Sequence, residues 1–154
     1  MKRIFYSVAY FVGLFYIVFW APWRKGVKLS DAERLRLHPI VDSVKELFDT
    51  HGGTWLVHAF FFFGNLFGNI VLFLPFAYVM MQVFNMKSVV KIAVLAFLLS
   101  LAIEIIQYYT ESGVADVDDI LLNTTGAIAG VYLCRFFQNK SKTSYTDEHR
   151  SIQV

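Results

Sequence analysis

Four stretches of the chain are apolar for about the length of a membrane crossing, and polar residues gather between them. Residues 4–23 carry no charge and lie between Arg3 and Arg24. As a helix they would cover about 30 Å, the thickness of a bilayer's hydrocarbon core. Lys2 and Arg3 would also suit a secretory signal. However, the run exceeds the usual h-region of about 7–15 residues, and Phe19-Trp20-Ala21-Pro22 is no small-residue cleavage site. The pattern predicts an uncleaved first span, with Trp20 and Trp23 in the interfacial aromatic belt.

No Asp, Glu, Lys or Arg appears over residues 52–86. A single helix of that length would reach roughly 52 Å, too long for one crossing. The second span is therefore placed at 60–84, with residues 52–60 entering late, bending or inserting only in part. Gly64, Gly68 and Pro75 are its points of close packing or kinking. A third span is expected at 89–109 and a fourth at 118–137, where Arg135 can snorkel from the end.

The connectors are patterned too. Ser30 and Glu33 have capping-box spacing before Leu35 and Leu37. After Pro39, the residues Ile40, Val41, Val44, Leu47 and Phe48 recur at helical spacing opposite Asp42, Lys45 and Glu46. This predicts a short amphipathic helix, lying on the membrane surface or packed on the bundle. Residues 139–154 are polar and are expected to be a disordered cytoplasmic tail.

The fold class expected is therefore all-α: one membrane-embedded bundle of four helices over residues 1–138, with an amphipathic helix in the first connector. Composition strengthens this. The chain of 154 residues is 56% hydrophobic and 17% charged, against about a quarter charged in soluble domains. A net charge of +2 excludes the basic face of a nucleic-acid binder. Four spans leave no length for a separate soluble catalytic domain. Lys2, Arg3, Lys87, Lys91, Arg135, Lys140, Lys142 and Arg150 fall on the side of the termini, against six Lys and Arg in the first connector. This bias predicts cytoplasmic termini in a multi-pass protein of the bacterial cytoplasmic membrane, with both longer connectors outward.

Candidate chemistry comes from polar residues within spans. Glu104 lies about 9 Å along a helix from Thr110, and an ionisable group at that depth normally faces the bundle interior. Gln107 shares its face. Gly64 and Gly68 have GxxxG spacing, with Asn65 and Asn69 on a neighbouring stripe. Asp119 and Asn123 share a face with a second such pair, Gly126 and Gly130. One aspartate serves as a helix N-cap, which leaves others of Asp116, Asp118 and Asp119 unexplained. Convergence of Asn69, Glu104, Gln107, Asp116, Asp118, Asp119 and Asn123 would build a ligand site. Asp118 and Asp119 are the candidate ligands for Mg²⁺ or Ca²⁺ if a cofactor is used at all. Glu104 and Asp119 are the candidates for acid–base catalysis.

Two blocks carry a family resemblance. Gly68-Asn69-Ile-Val-Leu-Phe-Leu-Pro75-Phe76 resembles the first signature of VanZ-like proteins, the family named for a teicoplanin-resistance protein. Glu104-Ile-Ile-Gln107, followed by Asp116-Val-Asp118-Asp119-Ile-Leu-Leu-Asn123-Thr-Thr-Gly126, is similar to the second. Many members carry an Arg where this chain has Gly113, so one cation of that pattern is missing. The NLIPF-like stretch that often follows the first span has only a poor counterpart in Leu37-His38-Pro39-Ile40. The resemblance implies an integral bacterial membrane protein, with some members linked to lower susceptibility to teicoplanin or related lipoglycopeptides.

Three functions compete at this point. The leading one is a non-enzymatic envelope protein whose outward polar cluster binds a membrane lipid, a cell-wall lipid intermediate or a lipoglycopeptide. The second is an intramembrane enzyme acting on a lipid-linked substrate. The third is an accessory subunit or homo-oligomer assembled through the GxxxG stripes.

Overall fold

The computed structural model describes residues 2–20, 34–48 and 54–151. Helix α1 (Lys2–Phe15) runs on through a π-helical turn, Tyr16–Trp20. Strand β1 (Leu35–Arg36) and the short helix α2 (Val41–Phe48) follow in the first connector. Then come α3 (Trp55–Gln82), α4 (Val89–Thr110), β2 (Ala115–Asp116) and α5 (Val117–Ser151). Among the described residues, four helices are long and apolar enough to cross a membrane. Trp23, Ser30 and Glu33 lie outside the described residues.

Helix α5 is the centre of the bundle, packed extensively on α3 and on α4. The reason lies in its small residues. A Cβ at Gly126 would collide with the Ile70 carbonyl oxygen, and one at Gly130 would meet the Leu74 carbonyl and Ala77 Cβ. Backbone therefore rests on backbone, as close helix packing in a bilayer requires. Ala77 of α3 and Ala127 and Val131 of α5 are fully buried as well. Gly64 and Gly68 behave otherwise: nothing lies within 4 Å of a Cβ at either. Their predicted role in packing within this bundle is thus corrected, because the rotation of α3 turns Ile70, Leu74 and Ala77, not these glycines, toward α5.

Helix α1 packs against the other side of α3. Its inner stripe (Ser7, Leu14 and Val18, with Tyr10 and Phe11 partly buried) follows the helical repeat. Phe11 meets Phe76 edge-to-face at 6.5 Å, and Tyr10 Oη donates to the Leu72 carbonyl at 3.1 Å.

Helix α3 begins at Trp55, with Thr54 as its N-cap residue. It is continuous for 28 residues, about 42 Å, so residues 55–60 extend the span rather than forming a separate segment. Helix α5 continues to Ser151. No Gly or Pro interrupts residues 140–151, so nothing in that stretch breaks the helix.

Replacing Gly126 or Gly130 by Leu should force α3 and α5 apart, costing about 3 kcal/mol or more by overpacking. Gly68→Leu should leave stability nearly unchanged. Reversible unfolding in mixed detergent micelles separates the two outcomes, and equal losses at Gly68 and Gly126 would contradict this packing.

Candidate functional site

The polar residues gather at the end of the bundle that carries the connectors, and backbone capping explains most of their positions. Asp116 is the N-cap of α5: its Oδ1 accepts the Asp118 N–H at 2.8 Å. The N–H of Asp116 donates in turn to Glu104 Oε2 at 2.9 Å. Glu104 is only 5% exposed, and its carboxylate fixes the start of α5 from α4.

Asp118 points the other way, into the connector. Its carboxylate accepts the Ile40 N–H at 2.8 and 3.1 Å and the Ser43 hydroxyl. It thereby caps α2 from another element and sits in the first turn of α5, favourable for both helix dipoles. Ile40 has φ 67°, a strained conformation for a β-branched residue. The two hydrogen bonds to Asp118 hold it there.

The connector is fastened at two further points. β1 pairs in parallel with β2, Leu35 opposite Ala115 and Arg36 opposite Asp116, and the Ala115 N–H donates to the Arg34 carbonyl at 2.9 Å. Arg36 lies 3.8 Å from Asp116 Oδ2. Arg34 lies 3.3 Å from Glu111 and stacks 5.5 Å above the Tyr108 ring. These fastenings make residues 34–48 a strap across the mouth of the bundle. Val41, Val44 and Phe48 face outward and are exposed, so the apolar stripe of α2 is turned away from the bundle while Ser43 faces it.

Two other groups lie deeper. Asp119 Oδ1 accepts from Asn65 at 3.0 Å and also from Asn69, joining α5 to α3. Asn123 donates to Ser100 Oγ at 2.8 Å, and Gln107 donates to the Val18 carbonyl in the π-helical turn at 3.2 Å. The Oδ1 of Asn123 and the Oε1 of Gln107 are buried without a hydrogen-bond partner. Such orphan acceptors are rare in a packed interior.

Beneath the strap is a cavity of about 250 Å³. Leu35 and Leu37 form one wall, Tyr108 and Tyr109 another, and Glu104 and Asp116 lie at its polar end.

A family model described as VanZ/LLP1 matches residues 5–138. The chain belongs to this family. No curated protein and no solved structure matches the chain. In this VanZ/LLP1 chain the two signature blocks meet. Asn69 of the first reaches Asp119 of the second, and Gly126 of the second seats against Ile70 of the first. Glu104, Asp116 and Asp118 form one chained set, Asp119 and Asn69 a second, and Asn123 and Gln107 make separate contacts between helices.

Asp118 and Asp119 therefore diverge, one toward α2 and one toward α3. Among the described residues no three His, Cys, Asp or Glu side chains form a metal-binding group. Glu104 reaches a backbone amide, a positioning contact that by itself names no reaction.

Sequence reasoning missed Arg34, Arg36, Ser43 and Ser100. The absent Arg at Gly113 was a usable signal, since the connector arginines bring cations to this end from a distant part of the chain. The Ser30–Glu33 capping-box spacing put Leu35 in a helical start, yet it enters a β-bridge, where the Arg34 carbonyl finds a donor in Ala115.

Asp118→Ala should release the strap. Hydrogen bonds to a charged acceptor contribute about 1.5–3 kcal/mol, so trypsin should cut at Arg34, Arg36 and Lys45 at least about tenfold faster. An unchanged cleavage rate would show that other contacts hold the connector.

Proposed function

We propose that this VanZ/LLP1 protein sits in the bacterial cytoplasmic membrane with its termini in the cytoplasm and its strap outward. There it binds an amphipathic envelope ligand, lowering susceptibility to teicoplanin or a related lipoglycopeptide. The basic residues near the termini favour that orientation. The outward apolar stripe of α2 suits a helix lying in the outer interface.

The observation that carries the reading is the cavity under the strap. It presents Leu and Tyr side chains along its walls and two carboxylates at one end, a surface matched to a ligand with an apolar body and a hydrogen-bond-donating group. At about 250 Å³ it takes one portion of a large ligand, such as part of a lipid-linked cell-wall intermediate or of the antibiotic. Binding without turnover is favoured over catalysis because Glu104 is engaged with a backbone amide and Asp119 with the Asn65 and Asn69 amides.

Expression in a teicoplanin-susceptible bacterium should raise the inhibitory concentration several-fold and reduce labelled teicoplanin at the cell surface. Tyr109→Ala, which opens one wall of the cavity, should weaken both effects at equal protein level. Unchanged teicoplanin binding with the wild-type protein would remove the antibiotic reading.

A further inference from the structure

A second cavity lies outside the strap. Between α1 and α3 a groove of about 750 Å³ opens sideways from the bundle. One wall carries Tyr10, Gly13 and Leu14, the other Gly64, Gly68 and Leu72. The groove closes at one end, where Tyr10 bonds to Leu72 and Phe11 meets Phe76. Toward the strap the two helices part, and no atom lies within 4 Å of a Cβ at Gly13, Gly64 or Gly68.

We propose that this groove holds an acyl chain of a membrane phospholipid, with the lipid's glycerol-level polar groups hydrogen-bonded to Asn65 and Asn69. Three observations carry the proposal. First, both walls belong to membrane-spanning helices, so lipid chains are what the groove meets. Second, its polar atoms lie on one side of the apolar stretch. Asn65 is exposed and lines the groove together with Asn69. Asn65 donates one N–H to Asp119 and its Oδ1 accepts from Asn69, which leaves its second N–H to donate to a lipid ester or hydroxyl group. Third, the length fits. From Asn65 to Pro75 is ten residues of helix, about 15 Å, which is half of a hydrocarbon core about 30 Å thick.

The groove also has room for a lipid chain. The groove follows α3 from Phe60 to Pro75, about 22 Å. A chain of about sixteen methylenes, at the roughly 30 Å³ that liquid water allots each molecule, fills about 480 Å³ and fits.

This site is independent of the cavity at Glu104, so it stands or falls separately from the resistance phenotype. The test is photocrosslinking in nanodiscs of phosphatidylethanolamine and phosphatidylglycerol, with a diazirine in the acyl chain of either lipid as the probe and adducts mapped by mass spectrometry. Adducts should concentrate on residues 9–17 and 64–75. The double variant Gly64→Leu/Gly68→Leu should reduce them about tenfold while helicity and elution volume stay unchanged. Gly13→Leu fills the groove from the opposite wall and should act alike, which keeps the test decisive if the double variant misfolds. Asn65→Leu should lower the yield without blocking the groove. Preference for one probe identifies the headgroup, and equal labelling by both places recognition at the glycerol level. Adducts spread evenly over all lipid-facing helices would overturn the proposal. So would a wild-type dimer that the glycine variants convert to monomer with lipid labelling unchanged, which would assign the groove to a second copy.

Discussion

A helix that starts inside or beside a bilayer leaves the N–H groups of its first turn without water, and they must find acceptors in the protein. Helix α5 meets this constraint with carboxylates in series. Asp116 caps its first turn, and Glu104 receives the N–H of Asp116 itself. Asp118, projecting from the same turn, then caps α2 and closes the strap. Three acidic side chains that would each be expensive near hydrocarbon are stabilised because each accepts a backbone donor. The cavity under the strap exists because this series holds its roof and its floor together.

The close approach of α5 to α3 follows from the other half of the signature. Gly126 and Gly130 let α5 lie against the α3 backbone, which brings Asp119 within reach of Asn65 and Asn69. Packing and polar geometry are thus one arrangement. A larger residue at Gly126 would displace Asp119 two turns away, even though Gly126 touches no ligand. The same contact leaves the opposite face of α3 to α1, which meets it at Leu72 and Phe76 and leaves the lateral groove beside them.

Much of the fold was legible in the residues, because uninterrupted apolar runs of about twenty residues have few structural solutions in water or lipid. The beginning of α3 was not, since residues 52–60 lack the charges that mark a membrane boundary. The two GxxxG pairs look alike on paper, yet only Gly126 and Gly130 meet a neighbouring helix in the chain. That difference depends on how α3 is rotated, which the spacing of two glycines does not encode. At the site, Glu104, Asp116 and Asp119 stood out as charges in apolar surroundings. Arg36 and Ser43 did not, because a charged or hydroxyl residue in a polar connector is ordinary until β1 pairs with β2. The role of Glu104 was also hidden: an intramembrane carboxyl signals chemistry or structure equally well, and its backbone partner is visible only in three dimensions.

The claim at the centre of this account is that buried carboxylates hold two particular amides, Asp116 N–H to Glu104 and Ile40 N–H to Asp118. Amide hydrogen exchange of the wild-type protein in lipid nanodiscs tests it most directly. The account predicts that both amides exchange as slowly as those in the first turns of α5, far more slowly than an unprotected connector. Exchange of both at the rate of an open loop would contradict it.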